Sequence, residues 1–251
     1  MSNNLILGRY YSTKSFIHSM NSTAKIICIF LFSAITIINS SFLFGLLLVT
    51  FNCYVILNTN VPICLYLKSL SKMKVFLIFI FAINLVFRIN IFTNILMVIK
   101  TILLINYSTV LTLTTAPTEI TYGLERFLSP LNKLKIPVNK LSLTISLALR
   151  FIPTIFDEAA KILKTQASRG VDYYNSDFKG KVEALKGLII PMINLSFKRA
   201  DVLADAMAVR LFSFERRRSN YRMNDWKMSD SLIVFLHLLM FIIILLKEVF
   251  L

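Results

Sequence analysis

Residues 141–170 read LSLTISLALRFIPTIFDEAAKILKTQASRG. Leu141, Ile145, Ala148, Ile152, Ile155, Ala159 and Ile162 step alternately by four and three residues. That spacing holds one apolar stripe along one face of an α-helix. Asp157, Glu158, Lys161 and Lys164 fall off the stripe, and Gly170 supplies a natural stop. Pro153 lies inside it and predicts a kink, because proline removes a backbone donor and crowds the preceding turn. A long helix with one charged face is not itself a membrane span. What it belongs to is decided by the chain on either side.

Upstream the chain changes character. From Met1 to Thr118 there is no Asp or Glu, against eight Lys or Arg. Apolar runs cover 26–38, 42–57, 75–87 and 95–113, with breaks at Asn39-Ser40-Ser41 and Arg88-Ile89-Asn90. The first two are shorter than the roughly 20 residues needed to cross the hydrocarbon core, so they read as a tight hairpin of short or tilted helices, with one long bent helix as the alternative. A last apolar run ends the chain, between Lys227 and Lys247. The whole chain is 56% hydrophobic and 16% charged, with a mean hydropathy of +0.70. A soluble globule carries about 25% charged residues, and a disordered chain has far less apolar surface. Three cysteines make no disulfide framework. Met1–Asn21 is polar and lacks the pattern of a cleavable signal.

The fold class expected is an all-α polytopic membrane protein, with about five transmembrane helices and a cytoplasmic domain of long amphipathic helices. Residues 1–117 form the N-terminal membrane region, 118–228 the cytoplasmic domain and 229–251 a C-terminal transmembrane helix. Net charge is +15. With the N-terminus in the cytoplasm, inside segments hold Arg9, Lys14, Lys25, Lys68, Lys72, Lys74 and the 19 basic residues from Arg126 to Lys227. The opposite orientation puts 25 of 28 basic residues outside. The positive-inside rule therefore selects N-in.

Downstream, a second long helix is expected from about Lys179 to Arg216, with apolar Leu185, Ile189, Met192 and Leu195 and a second kink at Pro191. A shorter one, Thr118–Leu128, precedes both. The first long helix finishes Gln166-Ala167-Ser168-Arg169-Gly170, and the second passes through Ala206-Met207-Ala208-Val209-Arg210 toward Glu215-Arg216-Arg217-Arg218. Each offers an arginine beside small residues. A guanidinium so placed suits bidentate bonding to a partner's carboxylates. The simpler account is that a cation near a helix C-terminus complements the helix dipole, worth about 0.3–1 kcal/mol.

Chemistry of other kinds is thin. The glycines at 8, 45, 123, 170, 180 and 187 build no phosphate loop. His18 and His237 lie at opposite ends of the chain without ligand partners at metal spacing. Cys28, Cys53 and Cys64 read as small apolar residues. Asp157 and Glu158 are adjacent on a helix, point apart and are better explained as a solvated face, while Asp201 and Asp205 are assigned to local ion pairs with Lys198 and Arg199. No catalytic residue, metal site or cofactor is expected. A membrane-bound lipid-modifying enzyme would need clustered His or Asp near the interface. A nucleic-acid binder using Arg216-Arg217-Arg218 is disfavoured too, because anionic lipid explains that run better.

Five segments occur in an order that resembles the transmembrane (T) component family of energy-coupling factor transporters, ABC-type importers of prokaryotes. They are Ser15-Phe16-Ile17-His18 followed by Lys25; Thr114-Thr115-Ala116-Pro117-Thr118-Glu119; Leu149-Arg150-Phe151-Ile152-Pro153; Gln166-Ala167-Ser168-Arg169-Gly170; and Ala206-Met207-Ala208-Val209-Arg210. Val209 and Leu211 depart from the Ala-Arg-Gly of the family's second short motif. That leaves open whether the second helix ends after Arg210 or continues through Glu215.

The resemblance implies a non-catalytic scaffold in the cell membrane of a prokaryote. Two ABC ATPases would dock at Ala167, Ser168, Arg169 and Gly170 and at Ala208 and Arg210. A small membrane substrate-binding subunit would pack on the helix faces, with Ala148, Ala159 and Ala160 allowing close approach. Arg150, Pro153 and Pro191 would hold or flex the helices. The cargo would be a vitamin or other micronutrient, and a dedicated cobalt or nickel importer is the alternative within the family.

Overall fold

The computed structural model describes residues 10–130, 137–170, 177–213 and 225–250. Its regular elements are helices: α1 (Phe16–Ser19), α2 (Ser22–Ile38), α3 (Phe42–Leu57), α4 (Ile63–Lys72), α5 (Lys74–Val86), α6 (Ile91–Thr114), α7 (Pro117–Leu128), α8 (Val138–Ser168), α9 (Phe178–Val209) and α10 (Met228–Phe250). The chain is an all-α membrane protein. Helices α6 and α10 are each long and apolar enough to cross a bilayer, and α4 with α5 makes a third candidate, bent by 52° at its break. Helices α2 and α3 are shorter apolar helices, separated at Asn39–Ser41 as the hairpin reading requires.

The chain divides into two compact units. The larger contains α1–α7 and α10. Its centre is built from Phe32 and Ile35 of α2, Leu48 of α3, Leu103 and Tyr107 of α6 and Ile244 of α10. The Phe32 and Tyr107 rings stack at 4.2 Å, an aromatic arrangement worth about 0.5–1.5 kcal/mol beyond its buried area. His237 is buried on α10, where its Nε2 lies 2.8 Å from the Tyr107 hydroxyl and its Nδ1 2.9 Å from the Ile233 carbonyl. It is a packing residue in a satisfied polar pair. Helix α7 packs on α2 through Gly123, where an added Cβ would come within 2.9 Å of the Ser22 backbone and the Ile26 side chain. Glycine is needed there for space.

Two junctions fix the ends of this bundle. At one, Lys25 is 6% exposed and donates from Nζ to the Thr114 carbonyl at 3.1 Å, Thr115 Oγ1 at 3.2 Å and the His18 carbonyl at 3.5 Å. A cation against the final carbonyls of α6 satisfies groups the helix leaves unbonded. Residues singled out in three separate stretches of sequence thus meet at one ammonium. Nearby, the Ser15 side chain caps α1 and lies 2.7 Å from His18 Nδ1, while His18 Nε2 reaches the Tyr11 carbonyl at 3.0 Å. Burial lowers the His18 pKa; the Tyr11 bond opposes that shift and the Lys25 charge adds to it. Asp230, fully buried at the start of α10, accepts from the Lys227 and Asn21 amides. At the other end, Ser40 donates its amide and hydroxyl to Glu248, tying the α2–α3 turn to the end of α10.

Helix α4 lies between the apolar runs 42–57 and 75–87, where the sequence assigns no element. Lys68 and Lys72 interrupt the hydropathy there, and residues 63–72 form an amphipathic helix anchored by buried Tyr66. The positions 9 and 215–218 named above lie outside the described residues.

The second unit contains α8 and α9. They run antiparallel: Gln166 Nε2 donates to the Gly187 carbonyl at 3.3 Å, and Arg199 forms an ion pair with Glu158. Phe151 faces Leu195, Val202 and Ala206 across an open groove of about 440 Å³. This corrects two expectations. Arg199 bonds across to α8 and not to acids on its own helix. Glu158, at 17% side-chain exposure, faces α9 and not solvent. The cause is the antiparallel pairing, which brings distant turns together.

Candidate functional site

Helices α8 and α9 are long for a reason visible in their sequences. Helix α8 has no glycine before Gly170, and α9 carries Gly180 and Gly187 but none from there to its cap at Arg210. Each also continues through its proline, Pro153 in α8 and Pro191 in α9. Their C-terminal ends are built alike. Arg169 is the first residue beyond α8 and Arg210 the first beyond α9. In both, the following residue enters the left-handed region, Gly170 at φ +84° and Leu211 at φ +53°.

The hydrogen bonds match as well. The Gly170 amide donates to the Ala167 carbonyl at 3.0 Å, and the Leu211 amide to the Ala208 carbonyl at 2.9 Å. At α9 the Phe212 amide also donates to the Met207 carbonyl at 3.0 Å. That pair is the Schellman termination, which needs a left-handed residue just past the cap. It settles where the second helix stops. The expected continuation to Arg216 is replaced by an end at Val209, and Leu211 takes the conformation that glycine adopts most easily.

Because of this termination both arginines project from helix ends and are exposed, as are Ala167, Ser168, Gly170 and Ala208. Arg210 has an apolar setting: Val209 is 83% exposed and Leu211 79%. Arg169 is flanked by Ser168 and Gly170. The antiparallel pairing puts the two ends far apart. Gln166 is level with Gly187, and from there to Arg210 α9 rises about 35 Å at roughly 1.5 Å per residue.

The other singled-out positions are spread along the helices. Ala148, Arg150, Pro153 and Ala160 are exposed, while Ala159 and Pro191 are half-buried. Leu141, Ile145, Ile190, Ile193 and Phe197 are exposed too, so the apolar stripes are only partly covered. Sequence reasoning named Val209 and Leu211 only as departures from a motif and missed their exposed aliphatic surface, and it missed the Glu158–Arg199 pair. An aliphatic residue on both sides of a terminal arginine was the available signal for the first two.

The class so defined is an all-helical membrane protein carrying an antiparallel helix pair, with an exposed arginine at the end of each helix. The family described as Cobalt transport protein (CbiQ) matches residues 13–221. The chain is similar to the energy-coupling factor transporter transmembrane protein EcfT of Bacillus subtilis (strain 168), at 36% identity over 96% of this chain and 99% of that one. It is similar to the EcfT of Lactococcus lactis subsp. cremoris, at 32% identity over 97% of both chains. It also resembles that of Listeria innocua, at 31% over 92% of this chain and 93% of the other. The chain belongs to this CbiQ/EcfT family, the transmembrane proteins of energy-coupling factor transporters.

Proposed function

We propose that this chain is the non-catalytic scaffold of an energy-coupling factor importer, joining two cytoplasmic ABC ATPases to a small membrane subunit that binds the vitamin or micronutrient. The observation that carries the reading is the repeated helix end: two exposed arginines in equivalent cap positions, about 35 Å of helix apart, suit two copies of a similar acidic seat. Arg169 with Ala167, Ser168 and Gly170 makes one anchor, and Arg210 with Ala208 the other. Exposed apolar residues along α8 and α9 supply the face for the substrate-binding subunit, with Ala148, Ala159 and Ala160 allowing close approach. Arg150, Pro153 and Pro191 hold or flex the helices as they carry movement from the ATPases to that face.

The N-terminus is placed in the cytoplasm of a prokaryotic cell, with residues 118–228 on the same side of the plasma membrane. In support, the α2–α3 turn and Glu248 share one end of the bundle, while Lys25 and Lys227 lie toward the opposite end, where α2 and α10 begin. ATP hydrolysis belongs to the partners.

The test is co-purification from the native membrane. Arg169→Glu with Arg210→Glu is expected to abolish recovery of both ATPases while insertion persists. Undiminished recovery of both ATPases with that double variant would remove the anchor assignment.

A further inference from the structure

Helix α4 has a role that docking of ATPases does not use. Its inner face is accounted for: Tyr66 is 2% exposed with its hydroxyl 3.0 Å from Thr59 Oγ1, and Ser69 Oγ lies 3.1 Å from Thr109 Oγ1. These bonds hold α4 against the turn that follows α3 and the C-terminal half of α6. Its outer face has no such account. At 100° per residue, Ile63 and Leu67 line one flank of that face, and Lys68 and Lys72 line the other, with Cys64 and Ser71 between. Ile63 is 56% and Leu67 60% exposed, and both lysines are exposed.

Two parallel stripes, one aliphatic and one cationic, are the arrangement of a helix lying in a membrane interface: the first faces acyl chains and the second headgroups. The charge is also uncompensated. No Asp or Glu occurs before Glu119, and among the described residues no ion pair joins Lys68 or Lys72 to a carboxylate. The 52° break between α4 and α5 turns this short helix out of the line of the apolar segment that follows. Lys74 adds a further cation immediately past that break.

We infer that the outer face of α4 is a binding site for the anionic headgroups of bilayer phospholipids, with Lys68 and Lys72 as the headgroup contacts and Ile63 and Leu67 seated in the acyl boundary. A lysine near an anionic lipid surface strengthens binding about five-fold, so the pair contributes about 30-fold. The proposal rests on the membrane fold and not on the ATPase anchors, so either reading can fail alone.

Cys64 sits between the stripes and provides a reporter. An environment-sensitive thiol dye is attached there in the full-length chain carrying Cys28→Ala and Cys53→Ser, held in phosphatidylcholine nanodiscs. Phosphatidylglycerol is then titrated in. The expected result is a saturable dye response that weakens about 30-fold in Lys68→Gln/Lys72→Gln and weakens with added salt. It is retained in Lys68→Arg/Lys72→Arg, which guards against misfolding of the neutral variant. An equal response to added phosphatidylcholine, or an undiminished one in the folded neutral variant, overturns the proposal. So does full reproduction by inorganic phosphate, which would mark a free-anion site. A response that needs co-purified protein partners and ignores lipid would assign the face to a protein, and overturns it as well.

Discussion

The ends of α8 and α9 share a backbone and differ in side chains. Both place an arginine at the cap and a left-handed residue after it. At α8 that residue is Gly170, where an added Cβ would meet nothing within 4 Å, and Arg169 is flanked by Ser168 and Gly170. At α9 it is Leu211, and Arg210 lies between two aliphatic side chains that are almost wholly exposed. The first end sets its charge between two small residues. The second offers charge with apolar area, and pays for that area with backbone strain, since an L-residue in the left-handed region costs about 1–2 kcal/mol.

Breaking the comparison starts with the arginines separately. Arg169→Glu is expected to lower ATPase affinity at least 100-fold, within the roughly 2–5 kcal/mol for losing one member of a buried charge pair. Arg210→Glu is expected to leave more residual affinity, because Val209 and Leu211 would still bury aliphatic surface worth about 1.5–3 kcal/mol each when fully covered. No residual affinity in Arg210→Glu would show that the apolar flanks contribute nothing. Val209→Ser with Leu211→Ser, added to Arg210→Glu, should remove the residual affinity.

Smaller effects separate backbone from side chain. Leu211→Gly should raise unfolding stability by up to about 1 kcal/mol, net of the entropy glycine loses on folding, while weakening docking. Gly170→Leu should lower stability by about 1–2 kcal/mol through conformation alone, as an added Cβ meets nothing within 4 Å. Thermal unfolding of the two variants should therefore move in opposite directions. A parallel shift would mean that the two caps are not equivalent. The smallest change expected is from Glu158→Gln: with Arg199 36% exposed, the pair is worth about 0.2–1 kcal/mol and should fade with salt.

Much of this was legible in the chain. The four-three stepping from Leu141 to Ile162 identifies α8, and the apolar runs locate α2, α3, α5, α6 and α10, because both signals are local and periodic. The arginine-bearing ends stand out for the same reason. Three features did not show. Leu211 carries no mark of a left-handed residue, so α9 seemed to run on. The lysines of α4 dilute its hydropathy below the level of a span. Lys25 meets Thr114, 89 residues away, and Glu158 meets Arg199, 41 residues away; spacing within one helix says nothing of either.

The unbroken course of α9 from Gly187 to its cap makes it a gauge as well as a support. If partners seat at both ends, the number of residues in between fixes their spacing and relative orientation. Seven inserted residues would lengthen the gauge by about 10 Å yet return Arg210 to nearly the same face, whereas two would shift it by only about 3 Å and turn it to the far side. Residue number in this helix is therefore under a constraint of phase more than of length, and insertions here would be tolerated in steps of whole turns.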